Sequence, residues 1–175
     1  VARGVSAGPA AASAAPTTRT ARLQVILPMS GAGQRFVDAG ETTLKPLLDV
    51  GGRPILAHLL DRFPRDTRFV FVARHDHLDD RGLRGTLNAL MAERPGTPPA
   101  AIVAIAPHKE GPVHALLAAA DALDPDLPTV ANYCDFGFTW DPEAFIAWTE
   151  RVRPDAAVIC YRGFHPHFAR PGRYA

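Results

Sequence analysis

The sequence has little cysteine and no long apolar run, and each shortage excludes a class of protein. Two cysteines in 175 residues, Cys134 and Cys160, are too few for a disulfide framework, so we expect reduced thiols and a cytoplasmic setting. No apolar run reaches the roughly 18 residues of a membrane span. Glycine and proline interrupt the alanine-rich start, which therefore lacks the apolar core of a signal peptide. We expect no membrane partner.

An excess of either charge is also missing. The chain has 19 Lys and Arg against 18 Asp and Glu, a net charge of +1. Such a balance gives no basic footprint, and we expect no nucleic-acid partner. Lysine is scarce, because all basic residues but Lys45 and Lys109 are arginine. Both lysines are therefore examined for a function.

The length and composition predict one domain. The chain has 47% hydrophobic and 21% charged residues, as in ordinary globular proteins. Residues 1–22 are rich in Ala, Gly, Pro, Ser and Thr and predict a disordered tail. Residues 23–175 are predicted to form the domain, and a homo-oligomer is left open.

Short apolar runs alternate with amphipathic segments. Strands are predicted at residues 23–28, 68–73, 101–106, 128–134 and 156–161, and helices at 54–63, 83–91, 113–123 and 142–152. This alternation predicts an α/β fold with a mostly parallel, Rossmann-like sheet and helices on both faces. In such sheets ligands bind at the carboxyl ends of the strands.

A glycine-rich loop follows the first predicted strand. Residues 30–36 read SGAGQRF, and Lys45-Pro46 follow nine residues after Phe36. The loop lacks the Gly-Lys-Ser/Thr of a P-loop and the third glycine of a dinucleotide fingerprint. Backbone amides in such a turn can surround phosphate. The alternative is a tight strand-to-helix turn, although the following arginine and the rare lysine favour a polyphosphate site.

Three consecutive segments, residues 25–36, 43–48 and 50–55, resemble the signature of the sugar-1-phosphate nucleotidyltransferase (nucleotidyl pyrophosphorylase) superfamily. Residues 129–136, 140–141 and 163–167 are more weakly similar to a capsule-related or uncharacterised branch. The resemblance implies a GT-A-like sheet that is incomplete at the C-terminus, because relatives continue with an acceptor-binding region.

The resemblance also implies a reaction and a site. A nucleoside triphosphate would react with a sugar 1-phosphate, releasing pyrophosphate, with Mg²⁺ as cofactor. Arg35, Lys45 and Asp135 are the implied catalytic residues, and Asp135 is the implied metal ligand. The implied nucleotide-binding residues are Pro28, Met29, Ser30, Gly31, Ala32, Gly33, Arg35, Lys45, Glu110, Gly111 and Asn132.

Two of these acidic residues also have simpler interpretations. Asp135 comes just after the fourth predicted strand, where a hard carboxylate suits Mg²⁺, but a capping or solvent-facing aspartate is the alternative. Glu110 lies in a loop that matches the nucleobase-reading loop of the superfamily. It can equally be a helix N-terminal acid that counters the dipole. The nucleobase stays open.

Histidine and tryptophan give weaker signals. His75 and His77, like His165 and His167, form His-x-His pairs, but their spacing does not match a zinc motif, and we predict solvated loop histidines. Trp140 and Trp148 are predicted to be core or helix-face residues.

Two rival functions remain open from the sequence. One is another use of the same fold: glycosyl transfer from a nucleotide sugar, or cytidylyl or guanylyl transfer to a non-sugar phosphate. The other is a catalytically incomplete nucleotide-binding or regulatory module.

Overall fold

The computed structural model describes residues 21–31 and 33–160. The strands are β1 (Leu23–Pro28), β2 (Asp49–Val50), β3 (Arg53–Pro54), β4 (Thr67–Arg74), β5 (Ala101–Ile105) and β6 (Thr129–Ala131). The helices are α1 (Gln34–Asp38), α2 (Ile55–Leu60), α3 (His75–Asp79), α4 (Leu83–Ala92), α5 (Pro112–Ala118) and α6 (Pro142–Val152), with 3-10 turns at Lys45–Leu47 and Ala120–Ala122.

Four strands form a parallel sheet in the order β5-β4-β1-β6. Val25 in β1 pairs with Phe69 in β4 on one side and with Val130 in β6 on the other. The strands β2 and β3 form a separate antiparallel pair. The predicted α/β fold with a mostly parallel sheet is confirmed.

The sheet has hydrophobic layers on both faces, because successive side chains of a strand point to opposite sides. Leu23, Val25 and Leu27 belong to a large buried cluster with residues of α2, α3, α4 and α6. Ile26 belongs to a smaller cluster on the opposite face, which is covered by α5. We call these the thick layer and the thin layer.

The predicted fifth strand is wrong in the part of it that the structure describes. Residues 156–160 belong to no strand or helix, and Val158 and Ile159 are 86% and 68% exposed. An apolar run becomes a strand only if a neighbouring strand supplies hydrogen-bond partners. No such partner pairs with residues 156–160 among the described residues.

Several other boundaries differ from the prediction. The helix predicted over 54–63 is the six-residue α2, and the strand predicted over 128–134 is the three-residue β6. The helix predicted over 113–123 is the seven-residue α5 followed by the turn Ala120–Ala122. Arg22, expected in the tail, forms ion pairs with Asp66 and Glu143 and so contacts the folded domain. Residues 1–20 lie outside the described part of the chain.

The longest helix among the described residues is α6, with 11 residues. Over this part of the chain, no helix combines the length and apolar character needed to cross a bilayer.

Candidate functional site

The strand order β5-β4-β1-β6 gives a topological switch point between β1 and β6, and a crevice is expected there at the carboxyl ends of the strands. From β1 the chain continues to β4 and β5 on one side, whereas β6 pairs on the other side. At such a switch point the loops that follow two adjacent strands diverge, and ligands of open α/β sheets bind between them. The loop after β1 is the predicted glycine loop, and the loop after β6 contains Asn132 and Asp135.

The glycine loop is anchored at its start. Pro28 ends β1, the Met29 amide donates to the Val72 carbonyl at 2.7 Å, and Ser30 is buried. Gly31 is exposed, and Gly33 precedes α1 with a φ of 65°, a conformation that favours glycine. The loop is therefore held at Met29 and Ser30, while Gly31 is accessible to solvent.

Two implied residues of this loop are described only in part or not at all. Ala32 lies outside the described residues. The backbone of Arg35 is in α1, but its side chain is not among those described.

Lys45 and Asp135, 90 residues apart in the sequence, meet in the crevice. Lys45 Nζ lies 2.6 Å from Asp135 Oδ2, and the two side chains are 37% and 29% exposed. Lys45 begins a 3-10 turn whose Pro46 is buried, and its ammonium lies 5.7 Å from the centre of the Phe36 ring. Solvent therefore reaches a close, partly buried ion pair next to the glycine loop.

Cys134, next to Asp135, is a buried thiol. Burial, and then the negative charge of Asp135, raises the pKa of this thiol to about 11. A thiol with that pKa stays protonated at neutral pH and is a poor nucleophile or metal ligand. The chemistry of the crevice therefore belongs to Lys45 and Asp135.

Asn132 holds the loop after β6 in shape. Its amide nitrogen donates to the Ile26 carbonyl at 3.1 Å, which extends the pairing of β6 with β1. Its side-chain Nδ2 donates to the Phe136 carbonyl at 3.0 Å, across the turn that contains Asp135. Asn132 therefore stabilises the loop that carries Asp135.

The loop between β5 and α5 contacts the glycine loop through a residue that sequence analysis missed. Ser30 Oγ and His108 Nε2 are hydrogen-bonded at 2.8 Å. Glu110 is exposed and lies 3.1 Å from His114 Nδ1. Gly111 has a φ of 85° and a ψ of −174°, a combination essentially restricted to glycine. His108 precedes Glu110 by two residues, and this nearness to a predicted site residue is the one sequence feature that indicates a role for His108.

His77 supports the glycine loop from a second side and corrects a prediction. Predicted to be solvated, it lies in α3 and is only 5% exposed. Burial, followed by the nearby Arg74, lowers its pKa, while a hydrogen bond to the Met29 backbone acts in the opposite direction. Its partner in the His-x-His pair, His75, is exposed as predicted, and His165 and His167 lie outside the described residues.

Trp140 is partly buried and packs against the core, in line with the prediction. Its ring packs against Phe63, Phe138 and Phe145, each at 5.4 Å between ring centroids. Its Nε1 donates to the Arg62 carbonyl at 2.8 Å. Trp148 packs on Phe145 at 6.1 Å.

Solved structures with a similar fold are nucleotide-sugar pyrophosphorylases. A UTP-bound UGPase from Acinetobacter baumannii has a TM-score of 0.56 at 16% identity, over 75% of this chain and 53% of that chain. A nucleoside-diphosphate-sugar pyrophosphorylase from Vibrio cholerae RC9 has a TM-score of 0.51 at 20% identity, over 65% and 50%. A UDP-glucose pyrophosphorylase complexed with UDP-glucose has a TM-score of 0.50 at 15% identity, over 75% and 54%.

This chain thus spans about half the length of these structures. At such identities the likeness shows the fold. No curated protein matches the sequence significantly. Residues 25–174 match the family described as the MobA-like NTP transferase domain. Since this match covers most of the sequence and the fold agrees with it, the chain belongs to the MobA-like NTP transferase domain family, within the nucleotidyltransferase superfamily.

Proposed function

We propose that this protein transfers a nucleotidyl group from a nucleoside triphosphate to a phosphorylated acceptor such as a sugar 1-phosphate and releases pyrophosphate. One observation carries the proposal. The ammonium of Lys45 and the carboxylate of Asp135 meet at 2.6 Å in the crevice at the switch point.

The Lys45–Asp135 pair suits a phosphate ligand accompanied by a cation. Without ligands each charge is neutralised by the other. When a triphosphate binds, Lys45 can turn to the phosphate oxygens, and Asp135 then needs another cation. On binding, each of the two charges thus exchanges its protein partner for a ligand charge. Neither partly buried charge is left unpaired, which would be costly.

The carboxylate of Asp135 is a suitable ligand for a Mg²⁺ ion. Mg²⁺ is usually held by one or two carboxylates together with substrate phosphates and water, and Asp135 offers one partly exposed carboxylate. Bound there, the ion would supply positive charge to neutralise the phosphates.

The reaction needs no strong base from the protein. A phosphate monoester has a second pKa of about 6, so the acceptor is largely a dianion at neutral pH and can attack the α-phosphorus directly. The residues of the chain then have two tasks, alignment and neutralisation of charge. Backbone amides of residues 30–33 would bind the triphosphate, and Lys45 would neutralise part of its negative charge. The loop of Glu110 and Gly111 would face the nucleobase.

By its match to the family pattern, Arg35 would bind the leaving pyrophosphate. A guanidinium offers several donors in a fixed fork to an oxyanion. Charge accumulates on the β- and γ-phosphates as the bond to the α-phosphorus breaks, so this contact would be strongest in the transition state.

The test measures pyrophosphate release over a panel of triphosphates and sugar 1-phosphates, together with nucleotide binding by calorimetry. We expect Arg35→Ala to lower turnover by roughly 10²-fold with less effect on binding. Lys45→Ala should weaken binding. Asp135→Asn should bind the triphosphate more tightly than the unmodified protein when Mg²⁺ is absent, because Lys45 is released, and should lose the gain that Mg²⁺ gives.

Arg84→Ala and Asp79→Asn are the matched controls. These residues form an exposed ion pair between α3 and α4, with 3.1 Å between Arg84 Nη2 and Asp79 Oδ1, so both variants should keep unmodified turnover. If the protein binds nucleotide but no acceptor gives pyrophosphate, the transferase proposal is wrong. If Asp135→Asn binds like the unmodified protein in both conditions, Asp135 has no part in the site.

A further inference from the structure

Three side chains of the loop between β5 and α5 converge on one point. His108, Glu110 and His114 each offer a ligand atom, and these atoms all lie within 4.8 Å of one another. Glu110 Oε2 lies 3.1 Å from His114 Nδ1 and 3.8 Å from His108 Nδ1. The two imidazole rings are 4.5 Å apart, with an angle of 38° between their planes.

These separations match the coordination sphere of a metal ion. Zinc binds nitrogen at about 2.0–2.1 Å and carboxylate oxygen at about 2.0–2.2 Å, so ligand atoms at tetrahedral positions lie about 3.4 Å apart. The two distances to Glu110 bracket that value. Glu110 and His114 are exposed, with 65% and 47% of their side chains accessible, and small rotations would bring them to ideal positions.

His108 gives an independent indication. Its side chain is only 8% exposed, and its Nδ1 atom is buried without a hydrogen-bond partner among the side chains and backbone that the structure describes. A buried nitrogen without a partner is costly. The 3.8 Å to Glu110 exceeds hydrogen-bonding distance, and an ion between the two groups would satisfy the nitrogen.

The other ring nitrogen of His108 is already engaged. When Nε2–H donates to Ser30 Oγ, with 2.8 Å between the two atoms, the neutral ring carries its free lone pair on Nδ1. A hydrogen bond at the second nitrogen is the usual way in which a metal-binding histidine is oriented. The ring is therefore held with its lone pair toward Glu110 and His114.

We propose that His108, Glu110 and His114 form a binding site for a transition-metal ion, with Zn²⁺ as the best-suited metal. Two imidazoles and one carboxylate favour zinc over Mg²⁺, which prefers oxygen ligands alone. Three protein ligands leave a fourth position for water or a ligand oxygen. The site is distinct from the Lys45–Asp135 pair and does not depend on the proposed transferase activity.

The test measures Zn²⁺ affinity of the full chain by competition with a chromophoric chelator, and the visible spectrum of bound Co²⁺. We expect one Zn²⁺ per chain and a Co²⁺ spectrum of low coordination number. His114→Ala and Glu110→Gln change exposed side chains that the fold does not need. Each variant should weaken Zn²⁺ binding and alter the Co²⁺ spectrum. Loss of a residue that only orients a metal ligand weakens binding about 10–100-fold, so we expect loss of a ligand to have an effect of that size or larger.

His75→Ala is the matched control, because His75 is an exposed histidine at the start of α3, outside the cluster. This variant should bind Zn²⁺ like the unmodified protein. The proposal is overturned if the unmodified chain binds no Zn²⁺, or if His114→Ala and Glu110→Gln both retain its affinity and its Co²⁺ spectrum. Neither readout depends on catalysis, so failure of the transferase assay leaves the result interpretable.

Discussion

Gln24 is a polar residue at the second position of the otherwise apolar strand β1, and it is completely buried. Its Nε2 donates to the Asp124 carbonyl at 2.6 Å and to Thr129 Oγ1 at 2.8 Å. Its Oε1 accepts from the Asp124 amide at 3.0 Å and from Arg68 Nη1 at 3.1 Å. A buried amide with all its groups paired fixes the segment before β6 to the sheet.

Replacing Gln24 by methionine keeps most of the volume but removes these four hydrogen bonds. We expect the free energy of unfolding to fall by about 1–3 kcal/mol, because partners on Asp124 and Thr129 are left partly desolvated. Urea denaturation measures the change. Asn88→Met replaces an exposed amide on α4 and should stay within about 0.5 kcal/mol. Equal losses in both variants would contradict the role given to Gln24.

At the scale of single residues, the sequence indicates candidate site residues better than it indicates which residues contact one another. The glycine loop, Lys45 and Asp135 stand out because their types and order carry information. The roles of these residues stay predictions, although the structure brings Lys45 and Asp135 together. The pairing of His108 with Ser30 and His114 depends on how the loop after β5 turns, and the buried Gln24 looks like an ordinary strand residue.

Among the elements outside the candidate site, α3 contacts the glycine loop, because its His77 is hydrogen-bonded to the Met29 backbone. Burial and Arg74 keep the pKa of His77 below its ordinary value of 6.5, Arg81 acts in the same direction, and Asp76 opposes them. In the folded protein the ring therefore stays neutral at pH values where the unfolded chain takes up a proton.

This difference predicts a loss of stability in acid. A histidine with a lowered pKa in the folded state contributes stability that is present above pH 6.5 and is lost as pH falls below it. We expect the free energy of unfolding to fall more between pH 7 and pH 5 in the unmodified protein than in His77→Gln, which keeps a donor for Met29. Denaturant titrations at both pH values measure the two slopes, and equal slopes would exclude the effect.

Elements with a complete local signal are predicted best. Helix α6 has the predicted bounds because Asp141 caps its first turn, accepting from the Ala144 amide at 3.0 Å, and Pro142 fits the first position. The run at 156–160 is just as apolar as a strand, yet strand formation depends on a neighbour that local sequence does not specify.

For the whole molecule, Arg22, the residue before β1, connects this strand to two parts of the chain that are distant in sequence. Its Nε lies 2.6 Å from Asp66 Oδ2, and Nη1 and Nη2 donate to the two carboxylate oxygens of Glu143 in α6 at 2.9 and 2.7 Å. Asp66 is only 3% exposed. One guanidinium thus joins β1, the residue before β4, and α6.

Arg22→Ala should lower the thermal unfolding midpoint more than Glu143→Gln. The first change removes a cation beside the buried carboxylate of Asp66, whereas the second removes one exposed partner. Scanning calorimetry of both variants measures the difference. Equal midpoints would mean that the contact with Asp66 adds nothing to the stability of the fold.

The unequal layers on the two faces of the sheet have a consequence for dynamics. The thin layer contains few buried residues and is covered by α5, whose Val113 and Leu117 are 63% and 70% exposed. Opening the thin layer exposes little apolar area. We therefore expect amide protons in this layer to exchange with solvent through local opening, and those in the thick layer to exchange only on global unfolding. We therefore expect the amide protons of α5, the helix that carries His114, to exchange faster than those of the helices in the thick layer.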